Sequence, residues 1–359
     1  MRIGFDARAA FLDPHRGFGR VTRSLADALL RFLPGEVVLF APEGSPVPDT
    51  WRERAAEVVF LTRPRRAAFI FDAPAWSRTL RRHRVDVVHL PAWGVPRGLP
   101  VPVVATFHDA TPFLFRSPPE LWRRARARMA IRSLARASVV HAVSAHAKEE
   151  LVEIVGIPSR QVEIVYWGVG QPFTPLPEPI APEHLLFVGG ADPHKNLGLL
   201  LSLMAMPAAR ELPILVVAGS ASADRRLGDE TLWGRVRPVP APSDTELVAL
   251  YRRALALLIP SRNEGFGLPA LEAMACGCPV MAARAGALPE ICGDAAVLLD
   301  PEQPREWLDA LLALQRDPVR RGATLQAGLA RVRAFTWEKT AREIVAVYRT
   351  ATLAASSRS

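Results

Sequence analysis

Short apolar runs, most of them rich in valine, recur through the first half of the chain at residues 2–6, 37–41, 58–61, 85–89, 103–107, 139–143 and 162–166. Several are apolar on both faces, as strands of a parallel sheet covered by helices must be. Between them lie stretches with apolar residues every three or four positions, at 17–33, 120–137 and 145–155, which predict amphipathic helices. Prolines then crowd residues 171–182, blocking both helix and ladder, and predict a linker. Beyond it the alternation restarts: strand 184–188, helix 197–204, strand 214–218, helix 246–254, strand 256–259, and so on to residue 299, with a last helix at 338–353. Two doubly wound α/β domains joined near residue 175 account for this order.

Length and composition agree. A chain of 359 residues holds two domains of ordinary size, and 49% hydrophobic with 23% charged residues excludes disorder as the main state. The longest apolar stretch, 197–209, is broken by Pro207 and falls short of the ~18 residues that span a bilayer. Charge arrives at Arg2 and Asp6, too early for a secretory signal. Cys276, Cys278 and Cys292 form neither a disulfide framework nor a zinc spacing, which predicts a reduced, cytoplasmic protein.

The net charge of +9 lies wholly in the first half, where 25 Lys and Arg meet 16 Asp and Glu before residue 171; the second half balances. The excess gathers at 63–84, with Arg65, Arg66, Arg78, Arg81 and Arg82, and at 123–136, with Arg124, Arg126, Arg128 and Arg132. Apolar Leu121, Trp122, Met129, Ile131 and Leu134 interleave with the second set. Two readings stand: a solvated helix face, or contact with an anionic membrane surface. Nucleic acid is not expected, since no stacking module or reading helix accompanies the charge. Arginine outnumbers lysine 42 to 3, which singles out each lysine, Lys195 among them.

The densest chemical signal is Pro260-Ser261-Arg262-Asn263-Glu264-Gly265-Phe266-Gly267-Leu268-Pro269-Ala270-Leu271-Glu272. A buried strand runs into a glycine-punctuated loop and then a helix starting near Pro269. Such a loop leaves backbone N–H groups open at a positive helix end, a seat for phosphate. Glu264 falls at the carboxyl end of its strand, where open α/β sheets bind ligands, and Glu272 about one turn into the helix, where a carboxylate can hold vicinal hydroxyls. The plain alternative is a strand–turn–helix with surface acids.

This segment resembles the E-x7-E signature of the retaining glycosyltransferases of family 4, and the likeness extends over nearly the whole chain. Residues 2–8 followed by Gly17-Phe18-Gly19-Arg20 are similar to the family's opening strand and glycine loop, whose backbone approaches the diphosphate. Thr106-Phe107-His108-Asp109 resembles the strand end whose histidine points at the transferred sugar, and Gly189-Gly190-Ala191-Asp192-Pro193-His194-Lys195-Asn196 the loop whose basic pair meets the diphosphate. There His194 replaces the commoner arginine, and one cation in place of two weakens the hold on the diphosphate unless His194 is protonated or Arg20 or Arg262 compensates. Trp167 is a second departure, standing where an asparagine is usual, and is read as packing. Asp109 either orients His108 or caps the next segment.

The resemblance implies a GT-B fold: two facing Rossmann-like domains with an interdomain cleft, the acceptor side at 1–172, the nucleotide-sugar side at 173–336, and a helix at 337–359 crossing back. It implies transfer of a hexose, first mannose from GDP-mannose and otherwise a UDP-sugar, to a hydroxyl acceptor, which a lipid-linked substrate of cell-surface polysaccharide or O-antigen assembly would suit, at the inner face of the plasma membrane. The implied catalytic residues are His108 and Glu264, and the implied donor-binding residues Gly17, Gly19, Lys195, Gly265, Phe266, Gly267, Leu268 and Glu272. No Asp-x-Asp occurs, so no metal or other cofactor is expected. Two other classes compete. A non-catalytic nucleotide-binding relative would lack one of these groups, and a dinucleotide oxidoreductase would show Gly-x-Gly-x-x-Gly after its first strand.

Overall fold

A computed structural model describes residues 1–14, 17–62, 73–92, 94–115, 121–178, 180–190, 192–219, 232 and 234–356, without the side chains of residues 121–123 and 355–356. The chain forms two compact units. One comprises Met1–Gly168 with Trp337–Ser359, the other Val169–Thr336.

The first unit is a seven-stranded sheet, parallel throughout, in the order β3-β2-β1-β4-β5-β6-β7. Its strands are β1 (Ile3–Asp6), β2 (Val37–Pro42), β3 (Glu57–Leu61), β4 (Val87–Leu90), β5 (Val103–Phe107), β6 (Val139–Ala142) and β7 (Val162–Ile164). β1, β2, β4, β5 and β6 are buried along their whole length, which explains why their sequences run apolar without alternation. The helix Gly17–Phe32 buries Val21, Leu25, Ala28 and Leu29 on one stripe. The helix Trp337–Ser356 packs on that helix and on β4, β5 and β6.

A line of polar side chains crosses this apolar sheet. His141 Nε2 lies 2.7 Å from the carbonyl of Val165 and must donate to it. Burial pushes the His141 pKa down to about 3, so the ring is neutral and its Nδ1 accepts from the Thr106 hydroxyl at 3.1 Å. The Thr106 oxygen then accepts from His89 Nε2 at 2.9 Å, and His89 Nδ1 accepts from the Tyr348 hydroxyl at 2.8 Å. Burial also lowers His89 well below the usual range and raises Tyr348, which keeps both neutral. Every proton has one direction, and the line ties the last helix to three central strands.

The second unit is a six-stranded parallel sheet, β10-β9-β8-β11-β12-β13. Its strands are β8 (His184–Val188), β9 (Ile214–Ala218), β10 (Val236–Val239), β11 (Ala254–Ile259), β12 (Val280–Ala283) and β13 (Ala296–Leu299). β10 escapes the sequence pattern because it is an edge strand with Pro238 inside it, a residue that only an edge tolerates. The helix Asp244–Arg252 begins two residues before the periodic stretch. Ser243 caps it in a full capping box with Glu246.

The proline-rich stretch is strapped down within this unit. Arg252 donates from Nε to the Thr174 carbonyl at 2.9 Å and from Nη2 to its hydroxyl at 3.0 Å, while Phe173 meets the Tyr251 ring edge-on at 6.1 Å. Pro179, at its end, lies outside the described residues. Among the described residues no helix is long and apolar enough to cross a membrane.

Candidate functional site

In the second unit the strand order reverses between β8 and β11, and the chain leaves both strands at the same end of the sheet. Ligands bind open parallel sheets at such a point. Lys195 follows β8 and Glu264 follows β11. Although 69 residues apart, they touch: Lys195 Nζ stands 2.7 Å from Glu264 Oε1. The Ser261 hydroxyl donates to the same oxygen, also at 2.7 Å.

The pair is partly open, with side-chain exposures of 22% for Lys195 and 11% for Glu264. Burial alone would raise the Glu264 pKa, but Lys195, Ser261 and the nearby His194 outweigh it and hold the carboxyl below its ordinary value. Glu264 is therefore ionised at neutral pH. Its backbone is also gripped. Ala287 N donates to the Glu264 carbonyl at 2.9 Å, and the approach needs glycine at 286. A Cβ there would lie 2.5 Å from Glu264 N, and the φ of +59° disfavours a side chain as well.

The helix after the loop is Leu268–Ala275, with Gly267 as its N-cap at φ +97°, so Pro269 is its second residue rather than its first. The N–H groups of Gly267 and Leu268 make no hydrogen bond to the described residues, and Pro269 has none to offer. Two amide donors are thus left open at a helix start beside Lys195 and Glu264. Gly265 is buried, and the Phe266 ring turns inward onto Phe335 at 6.3 Å, so what Phe266 can offer a ligand is backbone. Glu272 is 1% exposed and accepts from the Tyr251 hydroxyl on Oε2 at 3.0 Å.

Arg262, one of the three groups able to compensate, is already paired. Its guanidinium grips Glu302 with Nε at 2.5 Å and Nη2 at 3.0 Å, and Glu302 raises its pKa further. Its backbone N–H is given to the His194 carbonyl.

In the first unit, His108 and the Gly17–Gly19 segment come together: Phe18, between the two glycines, meets the His108 ring edge-on at 4.5 Å. The segment is no loop, since the helix already begins at Gly17, and neither glycine has a positive φ. The helical spacing of 17–33 prevails over the glycine-loop reading. Glycine at 19 serves a close approach instead, because a Cβ there would stand 2.0 Å from the Asp13 carbonyl oxygen.

His108 Nε2 lies 2.8 Å from the Pro91 carbonyl and donates to it. Burial, set against that bond and Asp109, lowers its pKa. The ring is neutral and its one proton is committed, which leaves Nδ1 as an acceptor. Asp109 accepts from Thr111 N at 2.8 Å and so caps the short segment after it. Trp167 packs against His141 at 4.7 Å, as its packing reading required.

The basic helix, Leu121–Ser133, spends its arginines on this neighbourhood. Arg124 and Arg128 donate to the Pro112 carbonyl at 2.7 and 2.9 Å, and Arg128 and Arg132 lie over the Phe113 ring. The Leu121 and Trp122 side chains, and Arg63, Arg65 and Arg66, lie outside the described residues. Among the described residues, no group of three or more His, Cys, Asp and Glu side chains could hold a metal ion.

Sequence reasoning missed Ser261, Gly286 and Tyr251. Ser261 stands in the same motif as Glu264 and could have been suspected from its three-residue spacing to that carboxylate; the other two carry no local signal.

Comparison with known proteins gives one family match to each unit. The model described as "Glycosyl transferases group 1" matches residues 175–328, and "Glycosyltransferase Family 4" matches residues 15–170. The chain is similar to the O-antigen chain mannosyltransferase B of Escherichia coli, 29% identical over 82% of this chain and 79% of the other. It is also similar to a D-inositol 3-phosphate glycosyltransferase of Segniliparus rotundus, 37% identical over 46% of this chain but only 39% of that protein's length. HepE of Anabaena, solved with UDP and glucose, has the same fold, with a TM-score of 0.72 and 18% identity over 97% of this chain and 99% of that one. With its two parallel-sheet Rossmann-like domains and a matching family model on each, the chain is a glycosyltransferase of GT-B fold, similar to those of family 4.

Proposed function

We propose that the protein moves a hexose from a nucleotide diphosphate sugar to a hydroxyl acceptor with retention at the anomeric carbon, in the assembly of a cell-surface polysaccharide such as O-antigen. The observation that carries this reading is the ion pair of Lys195 and Glu264 beside the open amides of Gly267 and Leu268. Lys195 and the two amides take the diphosphate and stabilise it as it leaves, a task for preorganised donors that asks no metal of the site. Glu264, ionised, accepts hydroxyls of the sugar. Glu272, steadied by Tyr251, holds the ribose. On the first unit, His108 offers Nδ1 to a substrate hydroxyl, and the Gly17–Gly19 backbone lies next to it.

Mannose from GDP-mannose is the first reading of the donor, favoured by the E. coli mannosyltransferase relative. A UDP-sugar is the second, favoured by the UDP and glucose bound by HepE. The first unit carries the whole positive excess and suits a lipid-linked acceptor at an anionic membrane. Arg124, Arg128 and Arg132 contribute less to that than their number suggests, being turned onto Pro112 and Phe113.

Melting curves with GDP, UDP, GDP-mannose and UDP-glucose test the donor, since a ligand of the native state raises Tm by mass action. One base is expected to raise Tm, and no shift with any would sink the reading. Glu264→Ala is expected to keep the diphosphate-induced shift and lose transfer about 100-fold or more. Activity should survive a chelator, and the product anomer, read by NMR, should match that of the donor.

A further inference from the structure

Glu264 presents its two oxygens to different worlds. Oε1 takes two donors, the Lys195 ammonium and the Ser261 hydroxyl, each at 2.7 Å. Oε2 makes no hydrogen bond to the described residues. The two donors differ in freedom. Lys195 sits on a long side chain that is 22% exposed, whereas Ser261 is 1% exposed, just beyond the end of β11, with one rotatable hydroxyl.

A diphosphate seated on the Gly267 and Leu268 amides competes for the ammonium, which has three N–H groups to share. The same diphosphate repels the carboxylate. With Lys195 as its sole anchor, Glu264 would swing with the lysine or away from the phosphates. The backbone grip from Ala287 and Gly286 fixes the residue but not its carboxylate.

We infer that Ser261 is a positioning residue of the donor site: its hydroxyl keeps Glu264 Oε1 turned into the protein while Lys195 serves the diphosphate, so that Oε2 stays aimed at a sugar hydroxyl. This role rests on the donor site proposed for Lys195 and Glu264. Ser261 belongs to the sugar half of the site, and Lys195 to the phosphate half.

Ser261→Ala in the full chain separates the two. Free UDP and GDP, titrated calorimetrically, should bind the variant within about twofold of wild type, because the phosphate half is intact. Transfer from GDP-mannose or UDP-glucose, whichever wild type uses, should lose about 10- to 100-fold in kcat, the size of one lost hydrogen bond to a charged group. The acid limb of kcat/KM should move to higher pH, because the carboxyl keeps Lys195 and His194 but loses a donor that lowers its pKa. A general loss of packing would lower Tm and leave that limb in place.

An unchanged kcat with an unmoved acid limb would overturn the assignment, as would a loss of diphosphate binding equal to the loss of transfer. A wild-type protein that binds neither diphosphate would end the donor-site reading itself, and this inference with it.

Discussion

The two units share a parallel, doubly wound sheet but bury their polar groups in different places. In the first, polarity runs through the sheet: His89, Thr106 and His141 sit inside β4, β5 and β6, and Asp6 ends β1 in a buried pair with Arg8 at 2.8 Å. In the second, β9, β11 and β12 are apolar throughout; of its described buried polar residues, His184 alone lies in a strand, at the start of β8, and Asn196, Ser261, Asn263 and Glu272 lie past the ends of β8 and β11. Packing without direction suffices for β9, β11 and β12, which leaves most of the hydrogen-bonding groups for the ligand end. The first sheet instead takes its geometry from directed bonds, and a directed bond fails when one partner goes.

The contrast can be broken most forcefully at Arg8. Arg8→Ala leaves the fully buried Asp6 carboxylate without its partner and should destabilise the first unit by about 3–5 kcal/mol in denaturant titrations. Protection of the second unit's amides from exchange should be little changed. Equal loss in both would erase the distinction.

Acid should divide the units next. His89 and His141 are held neutral with lowered pKa, so the unfolded chain binds their protons first. The stability of the first unit should then fall as pH drops below about 6.5, by up to about 1.4 kcal/mol per pH unit for each histidine, until the folded pKa is reached, about 3 for His141. The second unit has His184 alone among its strands, its pKa likewise lowered by burial against the bond it gives the Leu250 carbonyl, so the same argument applies there to one histidine instead of two. Exchange rates at pH 7 and pH 5 would show whether the first unit opens earlier.

The smallest effect sharpens the comparison. Tyr348→Phe removes the donor to His89 Nδ1 and should cost about 1–3 kcal/mol, with the last helix as the region that loses exchange protection. A neutral outcome would mean that apolar packing alone seats that helix.

The sequence made legible whatever depends on near neighbours. Valine-rich runs became buried strands because both faces of a covered parallel sheet want the same side chains, and the glycine-punctuated loop ahead of Pro269 marked a helix start to within a residue. Partnerships across the fold left no such trace. Tyr348 and His89 are 259 residues apart, and Gly286 is needed only because the Glu264 backbone happens to pass it. Arg262 looked like a free cation because its partner, Glu302, comes 40 residues later. His108 was found at the right strand end, but which of its ring nitrogens carries the proton was not, since the carbonyl that fixes it belongs to the residue just past the neighbouring strand.

The helix Trp337–Ser356 belongs to the first unit although the second separates it from the rest of that unit in the chain. A ribosome therefore delivers everything that Val169–Thr336 needs before the N-terminal sheet receives its closing piece. Until translation reaches Tyr348, His89 waits with an unfilled lone pair, and the half made first is the half completed last.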